Sequence, residues 1–152
     1  MTRAGEGARH DPADGPEGMK IIRSLHAPRQ TIDRLADAAT TRGMTIFARI
    51  DHGAGAEAVG MALRPTELIL FGNPRAGTLL MQATQTIGID LPLKALAWQD
   101  KAGVTWLGTN DPLWLANRHN LPVDPGTAVH AMSETLAAIA QEATGPVAAV
   151  HS

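Results

Sequence analysis

The runs Leu68-Ile69-Leu70-Phe71 and Leu93–Trp98 constrain this chain more than any other feature of it. Both are short, bounded by turn residues and apolar on both faces, the pattern of central strands that need cover above and below. Around them the signals alternate between strand and helix. Met19 to about His26 reads as a strand ended by Pro28. Ile32, Leu35, Ala36 and Ala39 follow at helical spacing from Thr31, with Gly43 placed to close the helix in a left-handed cap. Thr45–Asp51 alternates, which predicts a half-buried strand with Ile46, Ala48 and Ile50 on one face and Phe47 and Arg49 on the other. Ala54–Leu63 and the stretch from Asn73-Pro74 to Met81 predict short helices. Leu93–Gln99 and Val104–Gly108, joined by Asp100-Lys101-Ala102-Gly103, predict an antiparallel hairpin. Asn110-Asp111-Pro112 opens a further helix. Val129, Met132, Leu136 and Ile139 trace a last one, stopped by Gly145-Pro146.

The predicted class is therefore α+β: two layers, with an antiparallel sheet of about five strands in the order strand, helix, four strands, helix, and two short helical insertions. The first and last helices cover one face. Inserted helices or a second subunit must cover the other, and a twofold homodimer is expected on that ground.

The 152 residues suffice for one domain with a core. Met1–Gly18 holds four Gly, two Pro and six charges with little to bury, so residues 1–18 are expected to form a mobile tail. Residues 19–145 then form a single domain and residues 146–152 a short C-terminal tail. There is no cysteine and no tyrosine, which excludes a disulfide scaffold, a thiolate metal site, a cysteine nucleophile and phenolic acid–base chemistry. Thirteen Lys and Arg oppose fifteen Asp and Glu, and aromatic residues are 3% of the chain, so no nucleic-acid partner is expected. No apolar run approaches a membrane span and no secretory pattern follows Arg3, so the expectation is a cytoplasmic protein with no membrane partner.

The densest group of chemistry-bearing residues runs from Phe71 to Met81. A strand end, Gly72, the cap residue Asn73 and a helix N-terminus, with Arg75, Gly77 and Thr78 beside them, have the makings of an anion cradle. The competing explanation is that Asn73 caps the helix and Pro74 takes its first position, as Asp111-Pro112 does further on. His52, at a strand end after Asp51, is the one candidate for proton transfer, with Asp90 or Asp111 to orient it, and a grouping of His52 with His119 in the fold stays open. Asp90 and Lys94 flank Leu91-Pro92-Leu93 as a possible fixed polar pair. No histidine spacing suits a metal and no dinucleotide or P-loop fingerprint occurs, so neither metal nor cofactor is expected. The five methionines Met19, Met44, Met61, Met81 and Met132 and the tryptophans Trp98, Trp106 and Trp114 are read as packing residues.

Phe71-Gly72-Asn73-Pro74, Gly77-Thr78, Met81, Gly88-Ile89-Asp90-Leu91-Pro92-Leu93-Lys94 and Trp98 together resemble the signature of the domain of unknown function 302 family. Ile50-Asp51-His52, Asn110-Asp111-Pro112 and Arg118-His119 fit the same pattern, so the likeness spans about Ile32 to Leu121. It implies a compact α+β domain with a TATA-binding-protein-like sheet, often dimeric, and it implies no activity. The favoured reading is a dimeric binding module for a small anionic or apolar ligand, with Asn73, Arg75, Gly77, Thr78, Asp90 and Lys94 as candidate contacts. A small enzyme using His52 as general acid or base on an anionic substrate is the alternative, and a structural protein without a ligand is a third.

Overall fold

The computed structural model describes residues 15–147. Most of the two expected tails, with His10 and His151, lies outside the described residues. Within them, Pro16 O accepts the Met19 amide and Gly18 O accepts the Asp111 amide at 2.8 Å, so order begins at or before the expected boundary.

Five strands, β1 (Met19–Ser24), β2 (Thr45–Asp51), β3 (Thr66–Gly72), β4 (Leu93–Gln99) and β5 (Thr105–Asn110), form one antiparallel sheet in the order β1-β5-β4-β3-β2. The predicted central runs are β3 and β4, flanked on both sides by other strands. Ile69, Phe71, Leu93, Ala95, Ala97 and Leu107 share one face and pack in a single core with Ile32 and Leu35 of helix α1 (Pro28–Thr41) and Leu136 and Ile139 of helix α5 (Ala128–Thr144). Pro28 starts α1 earlier than the apolar spacing implied, and Gly43 follows it at φ +77°. Arg34 ties the two long helices together by donating to the Glu142 and Ala143 carbonyls, which the end of α5 leaves unpaired.

The insertions number more than two. Helices α2 (His52–Ala58) and α3 (Pro74–Ala83) stand between strands as expected. A 3-10 segment (Gln85–Asp90) and helix α4 (Pro112–Arg118) join them. None of these covers the second face of the sheet. Instead α3, the 3-10 segment and α4 extend the helical layer, packing Leu80, Ile87, Ala116 and Leu121 with Val129 of α5 in a second core. Ile21, Leu68, Leu70, Leu96, Trp98 and Trp106 are left half-buried on the open face, with Trp98 directly opposite Trp106.

The alternation expected along β2 breaks at a bulge between Ile46 and Ala48. Phe47 is the extra residue, so Ile46 lies opposite Phe71 on the helix side while Ala48 and Ile50 lie opposite Leu70 and Leu68 on the open side. A period-2 pattern cannot reveal this, because one inserted residue flips every later side chain.

The β4–β5 hairpin is held by Asp100. Its Oδ1 accepts the Ala102 and Val104 amides at 2.9 Å each, and its Oδ2 accepts the Trp106 indole at 2.8 Å. The Trp106 indole first, then the Val104 amide, hold this carboxyl below its ordinary titration range. A carboxyl depressed in the folded state adds stability above its unfolded pKa and loses it as pH falls through the folded one. The Trp106 indole proton resonance is therefore expected to move in acid with a midpoint below the normal aspartate range. Asp100→Asn should abolish that titration. A midpoint at the ordinary value would show the hydrogen bonds do not favour the charged form.

Candidate functional site

A single large groove of about 770 Å³ opens at the Gly72 end of β3. Its floor is the turn Gly72-Asn73-Pro74 into α3, with Ala76, Gly77, Thr78 and Met81 along that helix. Leu91, Pro92 and Leu93, entering β4, form one wall. Ala128, Ala131, Met132 and Thr135 of α5 form the opposite wall. Met44 and the bulged Phe47 close the third side, with Arg42 at the end of α1. The bulge thus turns an edge-strand phenylalanine toward the groove. A Cβ added to Gly88 would sit 3.1 Å from the Met81 sulfur, so the bare backbone there lets Met81 lie flat against the 3-10 segment.

Asn73, Gly77 and Thr78 line the groove, as the sequence suggested, but the turn they form is not an anion cradle. Asn73 Oδ1 accepts the Arg75 amide at 2.9 Å and the Ala76 amide at 3.3 Å, and the Gly77 amide reaches the Asn73 carbonyl at 3.0 Å. These are the first-turn donors an anion would need, and all three are engaged. Thr78 Oγ1 donates to the Pro74 carbonyl at 2.7 Å. Arg75 is exposed and does not line the groove.

The other candidates lie elsewhere. Lys94 points to the open face of the sheet, its Nζ 3.4 Å from the Pro92 carbonyl and its amide on Asn110 Oδ1 at 2.7 Å. Asp90 makes no pair with it. Its Oδ1 and Oδ2 accept Arg118 Nη1 at 2.9 Å each, and Oδ2 also lies 2.6 Å from His119 Nε2. His119 Nδ1 is 2.9 Å from Thr86 Oγ1. With Nε2–H donated to Asp90, a singly protonated ring leaves Nδ1 to accept the Thr86 hydroxyl. The chain Arg118–Asp90–His119–Thr86 ties the 3-10 segment to the end of α4, with His119 only 8% exposed.

His52 opens α2 at the Glu67 end of β2, whereas the groove lies at the Gly72 end. Seven residues of strand separate the two, about 20 Å. His52 is exposed, and neither Asp90 nor Asp111 orients it, since Asp111 Oδ1 caps α4 through the Leu113 amide. Its neighbour Asp51 caps α2 through the Ala54 amide and binds Arg29 at 3.0 Å. The Ala54 amide first, and the Arg29 guanidinium after it, hold the Asp51 carboxyl below its ordinary range. The grouping of His52 with His119 does not form, so an enzyme built on His52 has no support in this geometry. Among the described residues no cluster of His, Cys, Asp and Glu can hold a metal ion.

Arg42 is the one charged residue among the described residues lining the groove, and sequence reasoning missed it. Its Nη1 donates to Glu142 Oε2 at 2.6 Å and to the Ala38 carbonyl at 3.0 Å. The Glu142 bond raises the Arg42 pKa, and the same bond lowers that of Glu142. Met44, Met81 and Met132 line the groove rather than filling a closed core, and helical or strand spacing alone could not separate those roles.

Several known proteins are similar to this chain. Proteins named "Fluoride-specific ion channel FluC 1" from Brucella suis and Brucella abortus are each 48% identical to it over 128 residues, which is 84% of this chain and 50% and 47% of those proteins. The chain thus spans about half the length of the curated relatives it matches. No described helix is long and apolar enough to cross a membrane. A solved structure titled "Crystal structure of uncharacterized conserved protein DUF302 from Bacillus stearothermophilus" superposes with a TM-score of 0.72 at 19% identity, covering 84% of this chain and 99% of that one, and shows the same fold. The sequence profile described as "Domain of unknown function DUF302" matches residues 21–143, most of the chain, and the chain belongs to that family.

Proposed function

We propose that the chain is a small-molecule-binding module whose site is the groove between α3, α5 and the start of β4. The observation that carries this reading is the groove itself. Its volume of about 770 Å³ falls within the ~300–1,000 Å³ range of small-ligand sites, and its walls are mostly apolar with a few polar groups at fixed positions. Three methionines in the walls let it adapt to a ligand's shape. The likeness to half of proteins named for fluoride channels supports a module of this kind joined to a transport function. In that arrangement the matched half binds a ligand and fluoride passage belongs to the remainder.

Ala131 is exposed on α5 and lines the groove, so Ala131→Trp fills the site at little cost to the fold. Binding of a neutral naphthalene fluorophore to the wild type is expected to be lost in this variant, with the thermal midpoint nearly unchanged. Equal binding by both proteins would place the apolar site elsewhere. Native mass spectrometry of the purified protein, read for a co-purified small molecule, tests the same reading without choosing a ligand first.

The module is also proposed to be a homodimer joined through the open face of the sheet. Five strands at ~4.8 Å spacing and six or seven residues at ~3.3 Å offer a face of about 24 by 20 Å. Two such faces together bury about 1,000 Å² or more, which reaches the lower range of specific interfaces. Trp98 and Trp106 stand near its centre, where aromatic anchors contribute most.

A further inference from the structure

We infer that the groove takes an uncharged ligand whose apolar body carries a carbonyl or ether oxygen, and that this oxygen accepts a hydrogen bond from Asn73 Nδ2. The inference rests on the groove reading above and adds the ligand's charge and the polar contact. Charge is excluded on both sides. No carboxylate lines the groove, so a cation finds no counter-charge there among the described residues. An anion finds Arg42 alone, and Glu142 already holds that guanidinium at 2.6 Å. The amides of Arg75, Ala76 and Gly77, the remaining source of positive potential on α3, are engaged by Asn73. A charged group placed against walls of Met, Leu, Pro and Ala would lose its hydration with nothing to replace it.

One donor is left over. The cap fixes which end of the Asn73 amide is oxygen, because only oxygen can accept the Arg75 and Ala76 amides. Nδ2 is therefore turned the other way, on a side chain that lines the groove, and it donates to no described residue. A neutral acceptor is the group that satisfies it. Thr78 offers no rival donor, since its hydroxyl proton is given to the Pro74 carbonyl.

Three fluorophores of similar naphthalene body test this: N-phenyl-1-naphthylamine (neutral, no carbonyl), 6-propionyl-2-dimethylaminonaphthalene (neutral, a ketone) and 8-anilinonaphthalene-1-sulfonate (anionic). Groove binding is the part of each titration that Ala131→Trp abolishes. The ketone is expected to bind tightest, the amine about fivefold weaker, and the sulfonate at least tenfold weaker than the amine. Asn73→Asp keeps the capping oxygen and replaces the donor with a second acceptor, so the fold persists and the ketone alone should weaken, by about tenfold. The amine, unchanged in that variant, reports that the groove is intact. If no probe shows groove binding, the groove reading itself fails. If all three bind there and the sulfonate equals the neutral probes, or if the ketone is indifferent to Asn73→Asp, the groove reading stands and the present inference is overturned.

Discussion

Asp90→Ala is expected to lower unfolding free energy by about 2–3 kcal/mol, because it strands His119 and Arg118 together. His119 is almost fully covered, so its Nε2 would lose its acceptor without gaining water. The 3-10 segment would also lose its tie to α4, and with it the closure of the second core around Leu80, Ile87 and Leu121. Urea unfolding should show a lower midpoint with an unchanged slope, and amide exchange should quicken from Gln85 to Asp90 before the rest of the chain. Asp90→Asn retains one acceptor and should cost roughly half as much. A change below about 0.5 kcal/mol in the alanine variant would mean that this polar chain adds no net stability.

Dimer dissociation is the other large effect expected. The wild type should sediment at about twice 16.0 kDa at micromolar concentration. Leu70→Glu combined with Trp98→Glu should bring it to 16.0 kDa. Both side chains are half-buried on the open face, so the monomer can hydrate the new carboxylates, whereas a dimer would bury them twice over across its symmetry axis. Far-ultraviolet circular dichroism of the variant serves as the control for folding. A wild type that sediments at 16.0 kDa, or a variant that stays at the higher mass, would remove this face as the interface.

Elements that depend on local chemistry were legible in the chain. Cap-then-proline at Asn73-Pro74 and Asp111-Pro112 starts α3 and α4, because side-chain oxygen and a fixed φ act within a few residues of themselves. The doubly apolar runs became β3 and β4 in the sheet interior, since burial on both faces leaves no room for alternation. The helix-covered layer followed from the spacing in α1 and α5. The motif residues from Phe71 to Lys94 carried the family as well.

What the tertiary structure decided is which of these residues meet. His52 and the Asn73 turn both stand at strand ends in the sequence, and only the antiparallel register of β2 on β3 puts them at opposite ends of the sheet. Asp90 met His119 and Arg118, 28 and 29 residues later, rather than Lys94 nearby, because α4 folds back against the 3-10 segment. Phe47 reached the groove through a bulge that no period reveals. The groove draws its walls from α1, β2, α3, β4 and α5 at once, so its shape exists only when long-range packing closes. Capping and periodicity are short-range forces and are written residue by residue; a cavity is the space that distant elements leave between them, and it is set by how they pack.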